Sequence, residues 1–173
     1  EVTEFVKPHA QAMAESPTEF ELVSCIAFEY FARKQCDIVV LEVGMGGLLD
    51  STNVIPAPEV VVITNIGLDH TGVLGDTVEA IAVEKAAVIK PGCQVVLYRQ
   101  TPAVMAVVDE VCRRNGAQLH IAGVDDMRVL SDVPGFRLDV FGLKGKEEYD
   151  IPEDELTYFT GTLGLDWVRT GSV

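Results

Sequence analysis

The sequence predicts an α/β protein, a three-layer parallel sheet flanked by helices with an antiparallel hairpin appended to it. One observation is the set of short, β-branched apolar runs Ile38-Val39-Val40-Leu41, Val60-Val61-Val62-Ile63, Val95-Val96-Leu97 and Leu119-His120-Ile121. Their nearly continuous apolar character marks strands buried on both faces. Between them lie helix-length segments with caps of their own, so strands and helices alternate as in βαβ units, which build a parallel sheet covered on both sides. After Gly123 the pattern changes to Phe136-Arg-Leu-Asp-Val-Phe141, glycines at 142 and 145, and Glu147-Glu-Tyr-Asp-Ile151, the alternation of a hairpin.

Each element has a local reason. Val2, Phe5, Val6 and Met13 are consistent with an opening helix, which Pro8 should interrupt. Ser16-Pro17-Thr18-Glu19 predicts the start of a helix over 17–34: Ser16 caps, Pro17 takes the first position, and Glu19 closes a capping box. Phe20, Val23, Ala27, Tyr30 and Phe31 share one stripe at 3.6 periodicity, and Arg33 and Lys34 suit the negative C-terminal end. Residues 36–43 read as the first strand and 60–63 as the second. A helix from Asp76-Thr77-Val78-Glu79 stops at Pro91-Gly92, ahead of the third strand. Thr101-Pro102 opens another, with an apolar stripe of Val104, Val107, Val108, Val111 and Cys112, Arg113 and Arg114 in its last turn, and Gly116 just beyond. Residues 152–173 show no period and receive no role.

A chain of 173 residues suits a single domain, here 1–173, with 124–173 as hairpin and tail. Apolar residues make up 48% and charged ones 23%, which is globular composition. The formal charge of −14, without a basic patch, disfavours nucleic acid and anionic membrane surfaces as partners. Anionic substrates would then need help from Mg²⁺, helix N-termini or a few basic residues, so acidity favours a metal site. Cys25, Cys36, Cys93 and Cys112 have no CxxC spacing and are expected to be reduced and buried. No apolar run reaches the length of a membrane span and the N-terminus lacks signal-peptide form, so a cytoplasmic location is expected.

Three ionisable residues stand where chemistry is plausible. On the helix 76–90 the apolar face is Val78, Ile81, Ala82 and Ile89, and at 100° per residue Lys85 falls within it. Burial favours the neutral amine, which can take up CO₂ or attack a carbonyl. The bland alternative is a lysine that snorkels outward or pairs with a carboxylate such as Glu42. Glu42, at the end of the first predicted strand, and His70, past the second, together could bind Mg²⁺, although a cap or salt bridge for Glu42 and a loop hydrogen bond within Asp69-His70 are the commoner roles for each taken singly. Gly44, Gly46 and Gly47 allow backbone to approach a ligand, but Leu49 stands at the third glycine position of GxGxxG, which disfavours a dinucleotide site.

Taken together, the stretch from Thr18 to Lys90 resembles the N-terminal ATPase domain of folylpolyglutamate synthases, also called dihydrofolate synthases, of the Mur ligase superfamily. The motifs that carry the resemblance are Thr18-Glu-Phe-Glu21, Glu42-Val-Gly-Met-Gly-Gly47, Asp50-Ser-Thr-Asn53, Ile63-Thr-Asn-Ile-Gly-Leu-Asp-His70, Leu74-Gly-Asp-Thr77 and Ile81-Ala-Val-Glu-Lys85. It implies a P-loop-NTPase-like Mur ligase domain, ATP and Mg²⁺ as cofactors, and Glu42 and His70 as magnesium ligands. Lys85 matches the lysine that CO₂ carbamylates to bridge a second Mg²⁺. Thr18, Glu19, Phe20 and Glu21, with Leu49, Asp50 and Ser51, match segments that line the pterin site. The implied activity is ATP-dependent amide ligation of L-glutamate to dihydropteroate or tetrahydrofolate, by a cytoplasmic monomer of folate and one-carbon metabolism.

Two departures stand out. Leu48 occupies a position where bacterial relatives usually carry Arg, which removes an anion contact. No GxxxxGK[ST] phosphate loop occurs in the sequence, whereas the family carries one upstream of the first matched motif, so the chain reads as a central fragment that would be inactive alone. Two alternatives stay open: a non-catalytic binding or scaffold domain of the same fold, and a Mur ligase acting on cell-wall precursors, against which the Asp50-Ser-Thr-Asn53 run argues.

Overall fold

The computed structural model describes residues 1–123 in full and, beyond them, the backbone of 127–131, 136–142 and 145–151; residues 124–126, 132–135, 143–144 and 152–173 lie outside the described residues. In chain order the elements are α1 (Val2–Gln11), α2 (Glu19–Lys34), a 3₁₀ turn (Ser51–Val54), β1 (Val60–Ile63), α3 (Thr71–Leu74), α4 (Val78–Ala86), β2 (Gln94–Tyr98), α5 (Pro102–Asn115) and β3 (Gln118–Ala122). The strands β4 (Met127–Ser131), β5 (Phe136–Gly142) and β6 (Gly145–Ile151) follow.

β1, β2 and β3 form a parallel sheet in that spatial order, with Val61 opposite Val95 and Val95 opposite Leu119. The α/β class and the parallel sheet flanked by helices are therefore as expected. Both crossovers step the same way along the sheet, and connections of one hand that step one way place their helices on one face. α4 and α5 accordingly pack against each other, and Val61, Ile63, Val95 and Leu97 meet Ile81, Ala82, Ala86, Val104, Val108 and Cys112 in the buried core. Each of the larger of these side chains contributes about 1.5–3 kcal/mol by leaving water. On the other face of β1, Val60 and Val62 are exposed among the described residues.

The α5 stripe falls as the periodicity requires: Val104, Val108 and Cys112 are buried, Thr101 caps the helix by accepting from the Val104 N–H, and Gly116 ends it with φ +61°. Three local features differ from expectation. α1 runs unbroken through Pro8, because packing against α2 outweighs one lost backbone hydrogen bond; there Arg33 lies 4.9 Å above the Phe5 ring. α2 begins at Glu19, and its capping box is formed by Thr18 with Glu21, not by Ser16 with Glu19. Both pairs satisfy the same S/T-x-x-E spacing, so spacing alone could not choose between them.

The larger correction concerns residues 36–43, expected as a doubly buried strand. They pair with no strand among the described residues, and Ile38 and Val40 are 84% and 91% exposed. A β-branched run becomes a strand only when a neighbour supplies the ladder, and none of the described strands lies beside it. The α2 stripe is uncovered in the same way: Phe20, Val23 and Tyr30 are exposed and only Ser24 is buried. Cys25 and Cys36 are exposed as well, against expectation, since both belong to this uncovered region, while Cys93 and Cys112 are buried; all four are free thiols. The appended unit is a three-stranded antiparallel sheet, β4-β5-β6, so the expected hairpin of β5 and β6 gains one strand at Met127–Ser131.

Candidate active site

The glycine loop between Glu42 and Thr52 is held by one carboxylate. Asp50 Oδ2 accepts from the Gly44 and Met45 N–H groups, each at 3.0 Å. Its Oδ1 accepts from the Thr52 N–H at 2.9 Å and the Thr52 hydroxyl at 2.6 Å. This combines an Asx-type turn, capping the 3₁₀ turn that follows, with a clasp on the loop before it. Burial by itself would push the Asp50 carboxyl up, but the hydrogen bonds from Thr52, Met45 and Gly44 together outweigh it and hold the group below its ordinary value.

Because the folded carboxyl ionises more readily than the unfolded one, the clasp contributes stability that is fully present above the unfolded value and is lost as pH falls through the folded one. In a pH titration by two-dimensional NMR, the Gly44 and Met45 amide shifts should follow a midpoint below 3.8, the ordinary value for this group. The same shifts should not titrate in Asp50→Asn. A midpoint above 3.8 would mean that the clasp does not carry the charge.

The loop is wedged among three other elements. At Gly47 a Cβ would lie 2.5 Å from the Glu84 carbonyl oxygen and 3.3 Å from the Lys85 Cα, so the absence of a side chain lets backbone meet the last turn of α4. At Gly46, with φ +68°, it would lie 2.8 Å from Leu74 Cδ2 at the end of α3. At Gly44 it would meet the tip of the Phe20 ring at 2.6 Å. The Ser24 and Ser51 hydroxyls share a 2.7 Å hydrogen bond that ties α2 to the 3₁₀ turn, and the Asn53 side-chain amide donates to the Leu48 carbonyl at 3.2 Å.

The fold thus gathers most of the expected site residues around one loop. Glu42 lies two residues before Gly44; its carboxylate is exposed and makes no hydrogen bond or ion pair among the described residues. His70 precedes α3 in the left-handed conformation, φ 49° and ψ 36°, which costs a non-glycine residue about 1–3 kcal/mol. The Asp69 carboxylate accepts from the His70 N–H at 2.8 Å and lies 3.6 Å from its Nε2. Lys85 is half-buried beside the buried Ile81, Ala82 and Ala86, and makes no hydrogen bond or ion pair among the described residues, Glu42 included.

Of the expected pterin contacts, Thr18 and Glu21 are engaged with each other, the Thr18 N–H and hydroxyl donating to Glu21 Oε2 at 2.7 and 2.8 Å. Those bonds from Thr18, the backbone one foremost, hold the Glu21 carboxyl below its ordinary value. Glu19, Phe20 and Leu49 are exposed, with Leu49 at 93%, as is Leu48. Asp50 and Ser51 are partly buried and hydrogen-bonded within the protein, Asp50 to Gly44, Met45 and Thr52 and Ser51 to Ser24.

Magnesium takes hard oxygen ligands and commonly keeps several waters, bound through one or two protein groups and substrate phosphates. Among the described residues no three His, Cys, Asp or Glu side chains form a metal cluster. The exposed Glu42 carboxylate is an oxygen donor of that kind, whereas His70 offers an imidazole nitrogen, so an ion held here would be completed by water and phosphate oxygens. Two contributors were not legible in the sequence. Ser24 stands in an otherwise apolar helix with no cue beyond its polarity, and Gln100, just past β2, bonds to the loop after β1.

A parallel α/β sheet with its polar loops gathered past the strand ends is a ligand-binding domain of the kind that seats its substrates at those ends. Residues 6–124 match the Mur ligase middle domain, and the chain belongs to that family. It is 43% identical over 117 residues to the dihydrofolate synthase/folylpolyglutamate synthase of Bacillus subtilis, covering 65% of this chain and 27% of that protein. Among solved structures it resembles an FPGS from L. casei, with TM-score 0.78 and 31% identity, over 97% of this chain and 43% of the other. It also resembles the folylpolyglutamate synthase of Mycobacterium tuberculosis complexed with ADP, with TM-score 0.73 and 35% identity, over 87% of this chain and 36% of that one. The chain spans about a quarter of the length of the curated relatives it matches.

Proposed function

We propose that this chain is the part of an ATP- and Mg²⁺-dependent folylpolyglutamate/dihydrofolate synthase that holds the metal and pterin contacts, acting in the cytoplasm as a monomer on dihydropteroate or tetrahydrofolate, L-glutamate and ATP. One observation supports the reading: the glycine loop after Glu42 approaches the helix after His70 at Gly46 and the Lys85 turn at Gly47 so closely that a Cβ at either glycine would lie within 2.8 Å of them. In the reaction a carboxylate oxygen of the pterin substrate attacks the γ-phosphorus of ATP and the bond to the β-phosphate oxygen breaks, giving an acyl phosphate and ADP. The glutamate nitrogen then attacks the acyl carbon, phosphate leaves, and the nitrogen gives up a proton.

Mg²⁺, when bound, would neutralise charge on the transferring phosphoryl group. Glu42 and His70 would hold it. Lys85 would add its amine nitrogen to CO₂, lose a proton, and present the resulting carboxylate beside the loop. Thr18–Glu21 and Leu49–Ser51 would line the pterin end, with Phe20 offering an exposed ring. No described helix is long and apolar enough to cross a membrane.

No GxxxxGK[ST] phosphate loop occurs within residues 1–173, so these residues alone should bind ATP weakly and hydrolyse it negligibly, while the complete enzyme should incorporate glutamate in an ATP- and Mg²⁺-dependent manner. Micromolar ATP affinity of the isolated chain by calorimetry would contradict the first expectation. A second reading is a non-catalytic scaffold of the same fold. A complete protein that binds the pterin yet never forms the amide would establish it.

A further inference from the structure

β1 and β2 pair in register up to Ile63 opposite Leu97, and backbone pairing between them stops there. Beyond that point Gln100 takes over with its side chain. Its Oε1 accepts from the Ile66 N–H at 2.8 Å and its Nε2 donates to the Thr64 carbonyl at 2.9 Å. In a parallel ladder a residue donates to the carbonyl before its partner and accepts from the N–H after it. The Gln100 carboxamide makes both bonds around Asn65, so it copies the backbone of a strand residue opposite Asn65 and adds one rung past the end of the strand.

The location of this rung gives it a consequence. The next residue, Ile66, is 6% exposed and packed in the core, and the chain then crosses Gly67 and Leu68 to Asp69 and His70. Both the direction in which the chain leaves the sheet and its last anchored amide before His70 depend on Gln100. We infer that Gln100 is a positioning residue, fixing the Thr64–His70 loop and through it the placement of the His70 imidazole. This rests on the proposed function for the meaning of His70, but the rung itself is a property of the fold.

The test uses Gln100→Ala, and Gln100→Glu, which keeps an acceptor for the Ile66 N–H but has no donor for the Thr64 carbonyl. In residues 1–173, Gln100→Ala should speed amide exchange of Ile66 about tenfold, the effect of losing one hydrogen bond, while the Val95 and Leu97 amides stay protected. In the complete enzyme the Mg²⁺ concentration for half-maximal rate should rise about tenfold, with kcat at saturating Mg²⁺ within about threefold of wild type. Gln100→Glu should fall between wild type and Gln100→Ala.

Val108→Ala, a core truncation on α5, should lower Tm without moving the Mg²⁺ dependence, which separates positioning from general destabilisation. Unchanged Ile66 exchange in Gln100→Ala would overturn the inference. So would faster exchange with an unaltered Mg²⁺ dependence in an active enzyme, and in that case the proposed function would stand. A wild-type enzyme with no glutamate-ligating activity would instead defeat the proposed function and, with it, this role for Gln100.

Discussion

Replacing Glu42, His70 or Lys85 by alanine in the complete enzyme is expected to lower kcat by about 10²-fold or more, because in the proposed function each would supply a charge-stabilising contact made most strongly in the transition state. Neither Glu42 nor Lys85 has a structural partner among the described residues, so neither substitution breaks a hydrogen bond or ion pair there. Their Tm should stay near wild type, and the loss should appear in turnover. Lys85 offers a sharper test of its own. If its carbamate supplies the missing carboxylate, a short carboxylate added in solution should restore part of the Lys85→Ala activity and none of the Glu42→Ala activity. Near-normal turnover of any of the three variants at saturating Mg²⁺ would remove that residue from the site.

Gly47→Ala should be nearly as damaging by a different route. Its Cβ would stand 2.5 Å from the Glu84 carbonyl oxygen, and backbone in a helix cannot swing aside as a side-chain tip can. The glycine loop and the Lys85 turn must then move apart, which at typical overpacking costs destabilises the fold by about 1–3 kcal/mol. A displacement near 1 Å between reacting groups can reduce turnover about 10²-fold, so kcat should drop well beyond what partial unfolding explains. Gly44→Ala is the natural comparison, since there the new methyl meets only the far end of the Phe20 ring, which can rotate away. Equal Tm and kcat for the two variants would mean that the contact with α4 does not set the site.

What was legible in the sequence was whatever rests on local chemistry. α5 announced itself through Thr101-Pro102, its i, i+4 valines and Gly116, and it folds on those terms, because caps and periodicity act within a few residues. β1, β2 and β3 were legible because short β-branched runs alternating with capped helices leave few topologies, and the parallel sheet follows. The motif spacing likewise pointed to the family in which residues 6–124 now lie.

Tertiary structure decided the rest, through partners far away in the chain. The run Cys36–Val43 has the composition of a strand, yet stays unpaired among the described residues, since a ladder needs a neighbour that composition cannot supply. Pro8 sits inside a helix because α2 packs against it, an interaction no local rule contains. The Asp50 carboxylate accepts from Gly44, Met45 and Thr52, a clasp that residue spacing does not reveal. Gln100 gained its place only when Ile66, 34 residues away, and Thr64, 36 residues away, came within 2.8 and 2.9 Å of its side chain. Sequence periodicity encodes which way a side chain faces on its own element; which backbone group it meets across the fold is settled by the assembled packing.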